Sequence, residues 1–268
     1  MAESISLDEH VEFFREKAKL KLWFAWNWLR EHPEETFEEV LRCRTGLWGL
    51  TEYGWHKGLA TVEDYARGEW PALLALARAL YDQTRYDADA SRFEREAYTI
   101  FREAVERGAV ATFGLPPRSE PRPFGALSYA PPVTAHPQRV HFHIVNMLQP
   151  ASIFDDRAYI PGCFQRLMDD AQAKHGAEEI ATGSWLNSLP RWQDIFPKEY
   201  LDHMGPPELD IRWSAGWWGQ FTNARGAFNH KYARIFRETG RMPFPRRASW
   251  CRIAAMRDHL ARRAQAFS

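Results

Sequence analysis

The sequence predicts an α+β protein, with an all-helical front unit and a mixed β-sheet behind it. Three observations predict that class. Residues 1–113 carry apolar stripes at steps of three and four, the spacing of one helix face. Between Gly114 and Gln138 stand seven prolines, which suit an extended connector and exclude a helix or a central strand. From residue 139 onward, short apolar runs alternate with helical patterns, as in βαβ units. The expected organisation is therefore a helical domain over 1–113, a connector over 114–138 and an α/β domain over 139–268.

Taken in order, Ser6 and Glu9 form a capping box for a first helix reaching about Arg30. Its stripe is Leu7, Val11, Phe14, Ala18, Leu22, Ala25 and Leu29, and Pro33 stops it. Thr36 with Glu39 makes a second box. Thr45 to Gly58, rich in glycine and tryptophan, reads as an ordered loop. Pro71 suits the first turn of a third helix, and Ser91 with Glu94 predicts a fourth, ended by Gly108. His10, His32 and His56 are scattered through this unit, which shows no chemical motif.

Behind the connector, Val140 to Asn146 (VHFHIVN) alternates as a strand, placing His141 and His143 on one face. A helix closed by Gly176 follows, then a strand over Ile180–Leu186 and a short helix begun by Pro190. Leu209 to Phe221 alternates as a long strand bent at its glycines, with Trp217 and Trp218 on opposite faces. Ala224 to Thr239 reads as helical or mixed, and Ser249 as the cap of a last helix.

Composition limits the function. Lys+Arg and Asp+Glu number 35 each, but residues 1–113 hold 15 basic against 21 acidic side chains, leaving 20 against 14 behind. That mild basic excess suits an anionic ligand and is too sparse for nucleic acid. Cys43, Cys163 and Cys251 are far apart and odd in number, which disfavours a disulfide framework. The first residues lack the pattern of a signal peptide, and no apolar run approaches the roughly 20 residues of a membrane span. A soluble, cytoplasmic protein without nucleic-acid or membrane partners is expected.

The order of elements over roughly 139–265 resembles the C-terminal domain of a two-part acyltransferase family. In that family a helical N-terminal domain precedes a domain of GNAT (GCN5-related acetyltransferase) type. The resemblance is carried by His143–Ile144 on a strand, SWL at Ser184–Leu186, and an aromatic segment with Ile211, Trp213 and Phe221. A closing helix with RIAAM at Arg252–Met256, then His259 and Leu260, completes it. It implies two parallel strands that splay apart at their C-terminal ends and hold an acyl thioester in the split.

On that resemblance, an acyl group moves from acyl-CoA or an acyl carrier protein to an amine or similar small-molecule acceptor. His141 or His143 would serve as base, with Ser184 and Asn187 orienting the acceptor or donating to the oxyanion. Asn146, Trp185, Trp217, Trp218, Gln220 and Arg225 would bind substrate. The family holds the pyrophosphate of coenzyme A on a glycine-containing turn after the first splayed strand. Here that turn reads MLQPASIFDD, without glycine and with Asp155 and Asp156. A different hold on coenzyme A, a carrier-protein donor, or loss of acyl transfer would each account for it.

Two alternatives stand beside that reading. His141 and His143 could ligate iron or zinc with a third ligand from Asp155, Asp156, His175, His203 or His230. The fold could also be a catalytically inert, GNAT-like binding protein. Ser184 lies in TGSWL, without the glycine two residues later that a hydrolase nucleophile elbow needs, which disfavours a serine hydrolase. Asp155 and Asp156 read as caps of the following helix.

Overall fold

The computed structural model describes residues 5–54, 61–115 and 123–266. Trp55, His56 and Gly58 of the predicted loop, and Pro116, Pro117 and Pro121 of the connector, lie outside the described residues. The front unit is built from α1 (Leu7–Glu31), α2 (Phe37–Glu39), α3 (Val62–Tyr65), α4 (Trp70–Thr84) and α5 (Ser91–Thr112). The back unit carries β1 (Leu127–Ala130), β2 (Arg139–Ile144), α6 (Tyr159–His175) and β3 (Glu179–Ser184). It continues through α7 (Pro190–Gln193), α8 (Lys198–Asp202), α9 (Ala215–Trp218), α10 (His230–Thr239), β4 (Arg247–Arg252) and α11 (Ile253–Ala266). The class is α+β, as the sequence indicates, and no described helix is long and apolar enough to cross a membrane.

The first two capping boxes form. Glu9 N–H donates to Ser6 Oγ at 3.2 Å while Ser6 N–H donates back to Glu9 Oε2, and Thr36 pairs with Glu39 likewise. The third does not form. Ser91 N–H donates to Asp89 Oδ1 at 2.8 Å, so α5 starts from an Asx turn with no side-chain cap. Gly108 does not end that helix, which runs on to Thr112. A Cβ at Gly108 would lie 2.6 Å from the Leu50 carbonyl oxygen, so the glycine admits a crossing backbone rather than a left-handed cap.

The sheet has the order β1-β2-β3-β4. Strands β1 and β2 are antiparallel, with Leu127 opposite Ile144 and Ala130 opposite His141. Strands β2 and β3 are parallel, and β3 and β4 antiparallel from Glu179–Arg252 to Ser184–Arg247. Strand β1 lies inside the predicted connector, which therefore contributes an edge strand. Helix α6 covers the Val140/Phe142 face, where Phe142 meets Phe164 edge-on at 5.1 Å. His141 and His143 consequently point away from that core.

The strand expected over Leu209–Phe221 is not formed. Its second half turns into α9 and a 3-10 turn (Gly219–Phe221), with Trp217 and Trp218 N–H both donating to Ser214 O. Trp217 and Trp218 are both buried, an outcome a helical turn permits and an alternating strand with one solvent face does not. The fourth strand is instead Arg247–Arg252, buried at Ser249 and Cys251 on one face. Ser249 is not a helix cap: its hydroxyl donates to Tyr200 O across the sheet edge.

Front and back share a hydrophobic core. Leu20 and Phe24 of α1 pack with Ile211, Trp217, Trp218, Phe221 and Phe236. Arg44 reinforces the joint: its guanidinium binds Glu35 and Asp210, donates to Ile211 O at 3.0 Å and lies over Trp28. Each unit also keeps a core of its own, drawn from residues 14–109 in front and 124–260 behind, and this third cluster joins the two.

Gly46 is the tightest point of that joint. Its φ is +57°, and a Cβ would lie 1.7 Å from Trp213 Cδ1. Gly46→Ala is expected to destabilise the protein by about 1–2 kcal/mol from the backbone alone. Urea unfolding checks this, and an unchanged midpoint would show that Trp213 and the turn yield freely.

Candidate functional site

The ladder between β2 and β3 runs only from Arg139–Glu179 to His141–Ala181. One step further, Thr182 Oγ1 donates to Phe142 O at 2.9 Å, so a side chain takes the place of the next backbone bond. Beyond it, the end of β2 (His143, Ile144) and the end of β3 (Gly183, Ser184) line one cavity of about 790 Å³. Its other walls are the loop around Asn146 and Gln149, the segment from Trp213 to Gln220, Tyr232 of α10, and Lys17 and Lys21 of α1.

The predicted residues fall into two groups, those that line the cavity and those that do not. His143 is exposed and lines the cavity, whereas His141 shares its face but sits one pair back, outside the lining. Burial, followed by the charges of Arg139 and His143, holds the His141 imidazole below its ordinary pKa. Ser184 lines the cavity, and its Oγ accepts from Leu186 N–H at 3.2 Å, starting the 3-10 turn Trp185–Ser188. Trp185 and Trp218 also line it, the former against Phe244 and the latter anchored through Nε1 to Arg44 O.

Five of the predicted residues are engaged by partners within the fold. Asn187 is fully buried outside the lining, and both ends of its amide are taken up by core partners. Gln220 touches the cavity, but its amide is bound to Trp217 O and to both backbone groups of Phe244. Trp217 packs in the shared core, because α9 turns it away from the lining that Trp218 faces. Arg225 pairs with Glu9 at 3.3 Å on the surface. Asn146 lines the cavity and ties its loop together, with Nδ2 donating to Ala151 O and Ala224 O.

The anticipated metal ligands do not gather around His141 and His143. Asp155 and Asp156 accept from Ser152 N–H and Ala158 N–H, in turns preceding α6 rather than as its cap. His175 stands against Tyr129, His203 stacks on Trp250 at 3.8 Å, and His230 pairs with Glu12. Among the described residues, the one group of three His, Cys, Asp or Glu with ligand spacing is His32, Glu34 and Glu35. Glu35 there is already bound by Arg44.

The lysines of α1 escaped the reading of the sequence. Lys21 is 2% exposed, and its Nζ donates to Gly46 O at 3.2 Å; Lys17, one turn earlier, is partly buried with Nζ over the Phe13 ring. The cavity walls desolvate Lys17 and push its pKa down to about 8. Burial, and then the charge of Lys17, holds Lys21 well below its ordinary value. The available signal was a second stripe, Lys17–Leu20–Lys21–Phe24, whose apolar members face the back unit. No family model, curated protein or solved structure matches the chain.

Proposed function

We propose that the cavity is an acyl-transfer site, where a thioester lying in the gap between β2 and β3 meets a small nucleophile. The observation that carries the reading is the parallel ladder that stops after three pairs, with both strand ends lining one cavity. The GNAT-like resemblance implies a thioester lying in such a gap.

In this scheme an acceptor amine attacks the thioester carbonyl, forming the C–N bond. The C–S bond then breaks and releases a thiol. His143 takes the amine proton and returns it to the departing sulfur, so one imidazole balances the proton account. The Ser184 hydroxyl, held by Leu186 N–H, offers its proton to the developing oxyanion. Asn187 has no part in it, since its amide is spent in the core. The carboxylates of Asp155 and Asp156 ahead of α6 oppose a pyrophosphate there, which favours a donor arm borne by an acyl carrier protein over coenzyme A.

The test is thiol release from acyl-CoA and acyl-carrier thioesters of graded length, in the presence of mixed amines. His143→Ala is expected to lower the rate by about 100-fold to 10,000-fold with an unchanged melting curve, because the ring is exposed. Turnover by His143→Ala at the wild-type rate, or no consumption of any thioester, would remove the reading.

A further inference from the structure

We propose that Lys17 and Lys21 form an oxyanion-binding site in the wall of this cavity, taking the carboxylate or phosphate group of a bound substrate. The inference rests on the acyl-transfer reading only for what that substrate does, not for the site itself.

Residues 17 and 21 are four apart on one helix, so both stems leave the same face of α1 and both side chains line the cavity. The lining adds Arg191 and His143 and, among the described residues, contains no aspartate or glutamate. No carboxylate is among the groups that act on either ammonium, and Lys21 feels chiefly burial and the charge of Lys17. Burying two like charges together without a counter-ion is unfavourable unless a ligand supplies the negative charge. A purely architectural role accounts for less. Anchoring Gly46 O needs one donor of Lys21 and gives no reason for a second lysine beside it.

Calorimetric titration of the full chain with inorganic phosphate, butyrate and butyramide tests the site without any chemistry. At least one anion is expected to bind, with butyramide at least about tenfold weaker than butyrate if the carboxylate is the group recognised. Phosphate alone binding would assign the lysines to a phosphorylated donor arm. Butyrate binding would assign them to a carboxylate-bearing substrate. Lys17→Met and Lys21→Met should each weaken binding by about tenfold or more. Lys19→Met, which removes the pair with Glu16 and the contact with the Tyr98 ring and does not touch the cavity lining, should leave it unchanged.

Failure of every anion to bind overturns the proposal. So does equal binding by wild type and a folded Lys17→Met/Lys21→Met protein. Anion binding without thioester turnover would retain the site and discard the acyl-transfer reading. Turnover without anion binding would do the reverse.

Discussion

Asn187→Ala is expected to lower the stability of the protein by about 3–5 kcal/mol, a larger loss than any other single substitution considered. The side chain is fully buried where four elements meet. Its Nδ2 donates to Thr182 O at 3.3 Å and to Arg247 O at 2.8 Å, joining β3 to β4 at the strand ends. Its Oδ1 accepts from Trp192 Nε1 at 3.0 Å and from Tyr200 Oη at 2.8 Å. Trp192 and Tyr200 are themselves fully buried, so alanine would leave two donors and two carbonyls without this partner, each costing about 1–3 kcal/mol before relaxation. Aspartate does not restore the site, because it accepts from Trp192 and Tyr200 but offers nothing to the two carbonyls and buries a charge. Urea unfolding of Asn187→Ala and Asn187→Asp measures both losses. An alanine variant within about 1 kcal/mol of wild type would show that the four bonds are not worth their geometry.

Asn187 also shows where the sequence misleads. Its place just beyond the second parallel strand was legible, and SWLNS did mark the mouth of a cavity. Its role was not legible, because a buried asparagine and a catalytic one share a residue type, and only Trp192 and Tyr200 beside it decide. The placement of His143 and Ser184 at the strand ends was legible, since strand alternation fixes the face and the loop fixes the end. Gly108 and Ser91 misled because the cap signals were answered otherwise, Gly108 by the tertiary approach of Leu50 O and Ser91 by a local Asx turn from Asp89. The run from Trp213 to Phe221 alternates apolar and small residues like a strand. The shared core buries adjacent tryptophans, however, and a single helical turn does that at less cost in unpaired backbone. Strand β4 was hidden for the opposite reason: RASWCR directly follows the breaker PFPR and carries polar ends, and only its pairing with β3 gives it form.

Removing the lysine charges is expected to act in the other direction. Lys17→Met should stabilise the ligand-free protein by about 2 kcal/mol at pH 7, while the anion site is lost. Methionine keeps most of the apolar stem and gives up only the ammonium. The sign follows from linkage. Lys17 titrates at about 8 in the folded chain, below the roughly 10.4 of an unfolded lysine, so the unfolded state holds the proton more tightly. The penalty is therefore complete below pH 8 and is relieved as pH rises from 8 toward 10. The gap of about 2.5 pKa units corresponds to roughly 3 kcal/mol, and solvent screening of this partly exposed side chain reduces it to the figure given. The groups that share the cavity with Lys17 are Lys21 on its own helix and His143, Arg191 and Tyr232 opposite, none of them a carboxylate that would reverse the sign. Urea unfolding of wild type and variant at pH 7 and pH 9.5 isolates the effect as a difference, which should shrink at the higher pH. A variant less stable than wild type at pH 7 would mean that Lys17 is held by favourable contacts, and that the cavity is not kept in a strained state for an anion to relieve.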